Sequence, residues 1–471
     1  MRTMVHHGRM QMCAYAAILM VFGNALASDT ESIRPSVSHP SFWQFRGETV
    51  VLLGGSDDDN LFQWNEAELR EQLDRLVNAG GNYIRNTMSS RDEGNLWPFA
   101  QGDDGRYDLD HPNEQYWNHF ETLLRLALER DIIVQIEVWD RFDFAREPWL
   151  VNPYNPANNR TYSVEESGLQ TQYPNHPGQN DNRFFFSVPK LDDNAQVLRY
   201  QQAQVDRMLS ISLDYPNVLY CMDNETSGRP EWGAYWADYI RNAASKKGVT
   251  VHTTEMWDPW NLSHPMHRHT IDHPERYTFV DISQNNHQRG QAHWDNMQAF
   301  RQRLADQPRP INCVKVYGAD TGRFGNDRDG IERFWRNLIG GLASTRFHRP
   351  DSGQGLNDRA VEHLRAARML TEAFDVTSAI PDRDSRLLSH RVENEAYLTH
   401  IPGKQYAVLF TDGGSVNLDL SGEEGLFEIR WLDVNLGKWQ PSSKEKVKAG
   451  PSVSLDSPGD GIWVALLDRA S

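Results

Sequence analysis

From residue 49 to residue 373 the chain repeats one unit: a short apolar run, then a stretch whose apolar residues recur at helical spacing. The runs fall at 49–56, 81–87, 131–139, 218–222, 248–257, 277–283, 310–317 and 341–347. Helices are predicted over 66–79, with Leu69, Leu73 and Leu76 on one face, and over 116–130, 195–213, 232–245, 291–305, 330–339 and 360–373. After the fifth run Pro259, Pro265 and Pro274 leave only a broken connection. Eight strands, each followed by a helix or connecting segment, predict a (β/α)8 TIM barrel. An open, doubly wound sheet would place a phosphate-binding turn after its first strand. Here that turn would be Gly54-Gly55-Ser56-Asp57-Asp58-Asp59, whose three acids repel phosphate.

The pattern changes after residue 390. The stretches 396–401, 405–411, 415–420, 426–433 and 461–467 alternate in strand fashion, and Pro402-Gly403 and Asp412-Gly413-Gly414 supply turns. They predict a small antiparallel β-sandwich over 390–471, joined by a linker at 378–389 to a barrel unit over 28–377. Residues 1–27, with Arg2 and Arg9 ahead of an apolar run and Ala25-Leu26-Ala27 at its end, read as a cleaved secretory signal. The mature protein is therefore expected outside the cytoplasm, secreted or periplasmic, with no membrane span. Its oligomeric state is left open.

The net charge of −17 becomes −19 once Arg2 and Arg9 are removed, which argues against nucleic acid as a partner. A neutral or cationic ligand fits it. Cys13 leaves with the signal, and Cys221 and Cys313 lie in the fourth and seventh runs, too far apart in a barrel to pair. They are expected as two buried thiols.

Catalytic groups of a parallel barrel gather at the C-terminal ends of its strands. Those ends supply Asp57, Asp58 and Asp59; Arg85 and Asn86; Glu137, Trp139 and Asp140; Asn224 and Glu225; Glu255 and Trp257; Asp281, Gln284, Asn285, Asn286 and His287; Lys315, Tyr317 and Asp320; and Arg346 and His348. Amides, acids and aromatics at every strand end describe a polar funnel suited to a carbohydrate. The fifteen tryptophans add flat apolar faces for sugar rings, with Trp64, Trp97, Trp139, Trp257 and Trp260 at or near strand ends. Cleaving a glycosidic bond takes two carboxyls, one protonated and one ionised, roughly 5 to 9 Å apart. Glu225 is the expected acid. Glu255 and Asp320 compete as its partner, with Glu137 third and equally readable as a structural partner of Arg85. The Asn/Pro-rich excursion over 145–192 is expected to form a lid or a wall of the site.

Other chemistries find less support. His267-Arg268-His269 and the three early aspartates resemble metal ligands, but no His-Glu-x-x-His spacing occurs. No Gly-x-Ser-x-Gly elbow presents a serine nucleophile. Neither metal nor cofactor is expected.

The chain resembles the clan of (β/α)8 glycoside hydrolases that includes family 5 cellulases and apiosidase-like enzymes. The matching segments are Asn82-Tyr83-Ile84-Arg85, the third run from Ile132 to Trp139, Asn224-Glu225, and the lead-in from Phe42 to Gly54. The resemblance implies that Glu225 is the acid/base. The C-terminal segment, with Arg430-Trp431-Leu432-Asp433 and Gly437-Lys438-Trp439, resembles the small domain named for collagen binding that follows apiosidase-like barrels. One departure stands out. That clan carries its nucleophile as a Glu at the end of strand seven, where this chain has Lys315-Val316-Tyr317-Gly318-Ala319-Asp320. Either Asp320 or another carboxylate such as Glu255 replaces it, or the mechanism is not retaining, or the barrel only binds carbohydrate.

Overall fold

A computed structural model describes residues 31–319, 322–441 and 445–470. The predicted signal and Asp320 lie outside the described residues. Eight parallel strands supply the core: β1 (Leu52–Gly55), β2 (Tyr83–Thr87), β3 (Ile133–Asp140), β4 (Val218–Asn224), β5 (Thr253–Thr254), β6 (Val280–Asp281), β7 (Ile311–Asn312) and β8 (Ser344–Phe347). Six of them form one curled sheet in the order β5-β4-β3-β2-β1-β8, and β6 pairs with β7. Backbone bonds extend the curl at both flanks, from Thr278 N to Thr253 O (3.1 Å) and from Ala343 N to Ile311 O (2.9 Å).

The seventh run forms a shorter strand than its sequence predicts, for a local reason. Side chains take positions that a neighbouring backbone would fill in a regular ladder. Cys313 N donates to Ser344 Oγ (3.0 Å), Val314 N to Ser283 Oγ (2.9 Å) and Tyr317 N to Asn286 Oδ1 (3.0 Å). The backbone is satisfied, as buried polar groups must be, without a continuous sheet.

The helices are α1 (Glu66–Asn78), α2 (Glu114–Leu128), α3 (Ala195–Ser212), α4 (Pro230–Lys246), α5 (Gly290–Arg303), α6 (Asp327–Ile339) and α7 (Asp358–Ala373). Five of them start on an asparagine whose side chain accepts a free N–H of the first turn: Asn65, Asn113, Asn194, Asn326 and Asn357. Such caps explain where these helices begin. Among the described residues no helix is long and apolar enough to cross a membrane. Cys221 and Cys313 are both buried and free.

The excursion after β3 is ordered by aromatic packing. Phe144 stacks on Phe184 at 4.2 Å between ring centroids, and Trp232 of α4 packs edge-on to Phe185 at 5.0 Å. Its segment 176–180 returns to the strand ends, where Ser227 Oγ donates to Gly178 O (2.8 Å). The predicted wall is thus in contact with the residues that follow Glu225.

The C-terminal strands are β9 (Ala396–Ile401), β10 (Gln405–Phe410), β11 (Ser415–Leu418), β12 (Leu426–Asp433), β13 (Glu445–Lys448), β14 (Val453–Asp456) and β15 (Trp463–Arg469). They form two antiparallel sheets, and two segments of the predicted linker join them: 380–381 pairs with β9 and 388–389 with β11. The linker is therefore part of the sandwich. Successive residues of its central strands face opposite ways. Leu398, Val408 and Ala465 enter the core between the sheets, whereas Tyr397, Leu409 and Val464 join the core of the barrel unit. Trp294 of α5 meets Tyr397 at 4.9 Å.

Candidate active site

Glu225 follows the last residue of β4 and has φ +51°, a left-handed conformation that a non-glycine residue adopts at a cost of about 1–3 kcal/mol. The turn has a consequence. Along a regular strand Asn224 and Glu225 would face opposite ways, yet both side chains here meet the same ammonium group. Lys315 Nζ donates to Asn224 Oδ1 and, at 2.6 Å, to Glu225 Oε1. The Tyr317 hydroxyl donates to the same Oε1 at 3.0 Å. Among the described residues no donor reaches Oε2. Strain of this kind persists where the surroundings hold it, and here two donors from the seventh segment hold it.

Burial pushes the Glu225 carboxyl up, but the Lys315 charge and hydrogen bond, the more distant Arg85 and the Tyr317 hydroxyl outweigh it and bring it down to about 2. Glu225 is therefore a carboxylate at any ordinary pH. A residue in that state has no proton to donate, which departs from the acid role expected from its sequence position.

Beneath this group lies a buried ionic network. Arg85 of β2 bridges Asp59 (2.7 Å) and Glu137 of β3 (2.6 Å). Arg346 of β8 reaches Asp59 Oδ1 at 3.3 Å, and His348 Nδ1 lies 3.6 Å from the same atom. Burial would raise the Asp59 carboxyl, yet Arg85, His348, Arg346 and Arg349 hold it well below the usual range. Arg85 and Glu137 are almost fully enclosed. They brace the strands under Glu225, so Glu137, expected among the sugar-contacting strand ends or as a second carboxyl, is enclosed in this network instead.

The remaining predicted residues divide by direction. Tyr317, His348 and His287 gather with Glu225: Tyr317 packs 4.5 Å from His348 and 4.4 Å from Phe324, and Phe324 lies 5.1 Å from His287. Trp260, 55% exposed, lies nearly parallel to the His287 ring at 6.3 Å. Asn285 and Asn286 serve the backbone, Asn285 donating to His293 O (3.0 Å) and Asn286 accepting from Tyr317 N; Gln284 is buried in the same turn. Asp281 accepts from Ser283 N (2.7 Å), and burial raises its carboxyl to about 6.

Others point away from Glu225. Trp139 is enclosed by Phe184 and Trp236, and Trp257 is buried against His269 at 5.6 Å, so neither offers a face to a sugar. Asp140 pairs with Arg91 and caps Phe142 N (3.0 Å), while Asp57 accepts from Leu356 N (2.6 Å). Glu255 receives Asp223 N (3.0 Å) and Met256 N (3.2 Å). A Cβ on Gly233 of α4 would stand 2.1 Å from Glu255 Oε2, so this carboxyl fills space between sheet and helix. Burial and the Asp223 charge push it well up. It is enclosed, and it does not meet Glu225. His267, one of the paired histidines, is buried with Nε2 2.8 Å from Pro259 O.

Two features of the mouth escaped the sequence reading. One is the Lys315 ammonium, present in the strand-end roll but without a role. The other is Asp258, one residue past Trp257, where the count of strand ends stopped. Thr226 bridges Trp257, and Asp258 N donates to Thr226 O (2.8 Å), so β4 and β5 continue beside each other past their last regular residues. Asp258 is half-buried, and its carboxyl accepts no hydrogen bond from the described residues. Burial raises it and the Glu225 charge raises it further, against the lowering effect of Lys315, His176 and Arg323.

No family model matches the chain, and no curated protein matches it in sequence. Among solved structures it is similar to a glycoside hydrolase family 5 protein of Bacteroides vulgatus, with TM-score 0.64 and 13% identity over 93% of this chain and 94% of that one. A second glycoside hydrolase structure gives 0.62 and 13% over 94% and 97%. A glycoside hydrolase family 5 mannosidase of Rhizomucor miehei, solved with mannosyl-fructose, gives 0.50 and 11% over 74% and 99%. At these identities the likeness is one of fold. It places the curled parallel sheet and its helices in the (β/α)8 architecture.

Proposed function

We propose that this protein is a glycoside hydrolase that cleaves an oligo- or polysaccharide outside the cytoplasm, with Glu225 as its central catalytic carboxyl. The observation that carries this reading is the strained, ionised Glu225. One oxygen is fixed by Lys315 and Tyr317, and the other has no donor among the described residues. Beside it stand an exposed tryptophan and a cluster of aromatic rings, the surface a pyranose ring needs. The fold it shares with glycoside hydrolases supports the same reading, as does the residue resemblance at Asn224-Glu225 and in the lead-in from Phe42. In this reading the barrel closes on all eight strands and the sandwich braces it.

The Lys315 ammonium assigns Glu225 the part of base. In a single displacement, water held by a carboxylate attacks the anomeric carbon, and a second carboxyl protonates the departing oxygen. The ammonium in place of a strand-seven carboxylate agrees with a mechanism that forms no glycosyl-enzyme.

The test is release of reducing ends from mannan, xylan, cellulose and mixed-linkage glucan. Glu225→Gln is expected to lower the rate on the responsive polymer by about 10²–10⁴-fold, the usual contribution of a general base, in a variant that remains folded although Lys315 loses its counter-charge. An unchanged rate removes Glu225 from the reaction. A second reading, a carbohydrate-binding protein on an inactive barrel, is favoured by the salt bridge that neutralises Glu225. It predicts retention on a polysaccharide affinity gel by both forms and hydrolysis by neither.

Trp260→Ala tests the platform. Losing one ring contact, worth about 0.5–1.5 kcal/mol, should raise KM or Kd by about 2- to 12-fold with little change in kcat. The check is a titration on the same polymer. An unaltered KM places the sugar elsewhere.

A further inference from the structure

We infer that Asp258 is the proton-donating carboxyl of this site, acting on the glycosidic oxygen while Glu225 takes the proton of the attacking water. This inference rests on the reading of the chain as a glycoside hydrolase.

Three observations converge on Asp258. The first is register. Thr226 pairs with Trp257, so Glu225 stands opposite Met256 and Asp258 lies two residues further along the neighbouring strand. With neighbouring strands about 4.8 Å apart and a rise of about 3.3 Å per residue, the two Cα positions are roughly 8 Å apart. Side chains on Cα positions this close can reach one bound sugar from two sides, as an acid and a base must.

The second is surroundings. Asp258 faces the mouth, where the charges that act on it are those of Glu225 and Lys315 inside, His176 on the excursion wall and Arg323 on the seventh connection. Gly178 of that wall lies against it, and a Cβ there would stand 3.8 Å from Asp258 Oδ2. Neither His176 nor Arg323 forms an ion pair with Asp258 within 4.0 Å among the described residues.

The third is chemistry. Among the described residues the other aspartates and glutamates of the strand ends are engaged elsewhere, Asp223 with the buried Arg141 at 3.4 Å. Asp59 and Glu137 hold Arg85, Asp140 holds Arg91, Glu255 holds two backbone N–H groups, and Asp281 holds Ser283 N. Asp258 has a carboxyl with no hydrogen-bond donor, in a place where burial and a neighbouring carboxylate favour its protonated form. Pairs of carboxyls driven in opposite directions are how one site holds an acid and a base at once.

The step balances without a further reactant. The Asp258 proton moves to the glycosidic oxygen, and the bond from that oxygen to the anomeric carbon breaks with its electron pair going to oxygen. A water oxygen bonds to the anomeric carbon from the opposite face, and its proton passes to Glu225. Exchange with solvent then returns the proton from Glu225 to Asp258.

The experiment compares parent, Asp258→Asn and Glu225→Gln on phenyl and 2,4-dinitrophenyl β-glycosides of glucose and mannose. Dinitrophenolate leaves without being protonated, whereas phenolate does not. Asp258→Asn should lose about 10²–10⁴-fold on the phenyl glycoside and less than about 3-fold on the dinitrophenyl one. Glu225→Gln should lose on both. The alkaline limb of the parent's pH profile should vanish from Asp258→Asn on the phenyl substrate. Melting temperatures should agree within about 2 °C, since the replaced carboxyl has no partner. Asp258→Glu, which keeps an acid, should recover part of the phenyl glycoside rate and confirm a proton-transfer role. Equal losses on both substrates, or no loss, overturn the assignment while the hydrolase reading stands. No turnover of any substrate by the parent overturns both.

Discussion

An Arg85→Met variant is expected to be about 3–5 kcal/mol less stable than the parent at pH 7. The parent buries Arg85 between Asp59 at 2.7 Å and Glu137 at 2.6 Å. Methionine fills similar volume but leaves two carboxylates enclosed without their main counter-charge. A loss of this size is a large part of the roughly 5–15 kcal/mol that holds a domain together. It also carries a pH signature. The folded-state value of Asp59 lies well below its ordinary 3.8, so its contribution is present above that value and is lost as pH falls through the folded one. The gap between parent and variant should therefore be widest above about pH 4 and narrow in more acidic solution. Urea unfolding at about pH 7 and at about pH 2, well below the ordinary value of Asp59, measures both. An equal gap at the two pH values would show that lost packing, not lost charge, accounts for it.

Lys315→Met should have the second large effect, on the reaction rather than on the fold. Burial alone would raise the Glu225 carboxyl, and the ammonium is the main force that brings it to about 2. Removing an opposite charge at hydrogen-bond distance moves a carboxyl by about 1–3 pH units. The acidic limb of kcat should therefore climb by that amount, while Tyr317 keeps its hydrogen bond to Oε1. The signs agree: Glu225 must be ionised to act as base, so raising its value narrows the active range from the acidic side. A limb that stays in place would separate Lys315 from the titration of Glu225. Lys315→Arg keeps the charge and should leave the limb near its parental position.

The helices and the first four strands were legible because their apolar residues repeat over long windows. Strands five to seven were legible as segments but not as ladders. In the seventh, Ser283, Asn286 and Ser344 supply side-chain partners to the backbone, and no periodicity in the sequence announces that exchange. The site was legible in its centre and less so in its roles. The count of strands brought out Glu225, Lys315, Tyr317 and His348 together. It could not reveal that φ +51° would turn Glu225 to share an ammonium with Asn224. Alternation along a strand says nothing about which face a residue takes once the strand has ended. The same limit explains Glu255, read as a site residue yet turned into the helix layer, and Asp258, passed over one residue beyond Trp257, whereas Trp139 is still inside β3 and faces the helix layer there.

The central claim is that Glu225 works as an ionised base beside a water rather than as an acid. It is tested most directly by ¹H NMR of the first product released from a responsive polysaccharide by the parent and by Glu225→Gln. The parent is expected to release sugar whose anomeric configuration is inverted relative to the substrate, and Glu225→Gln to release none on the same timescale. A retained anomer from the parent, or inverted product formed equally fast without the Glu225 carboxylate, would contradict it.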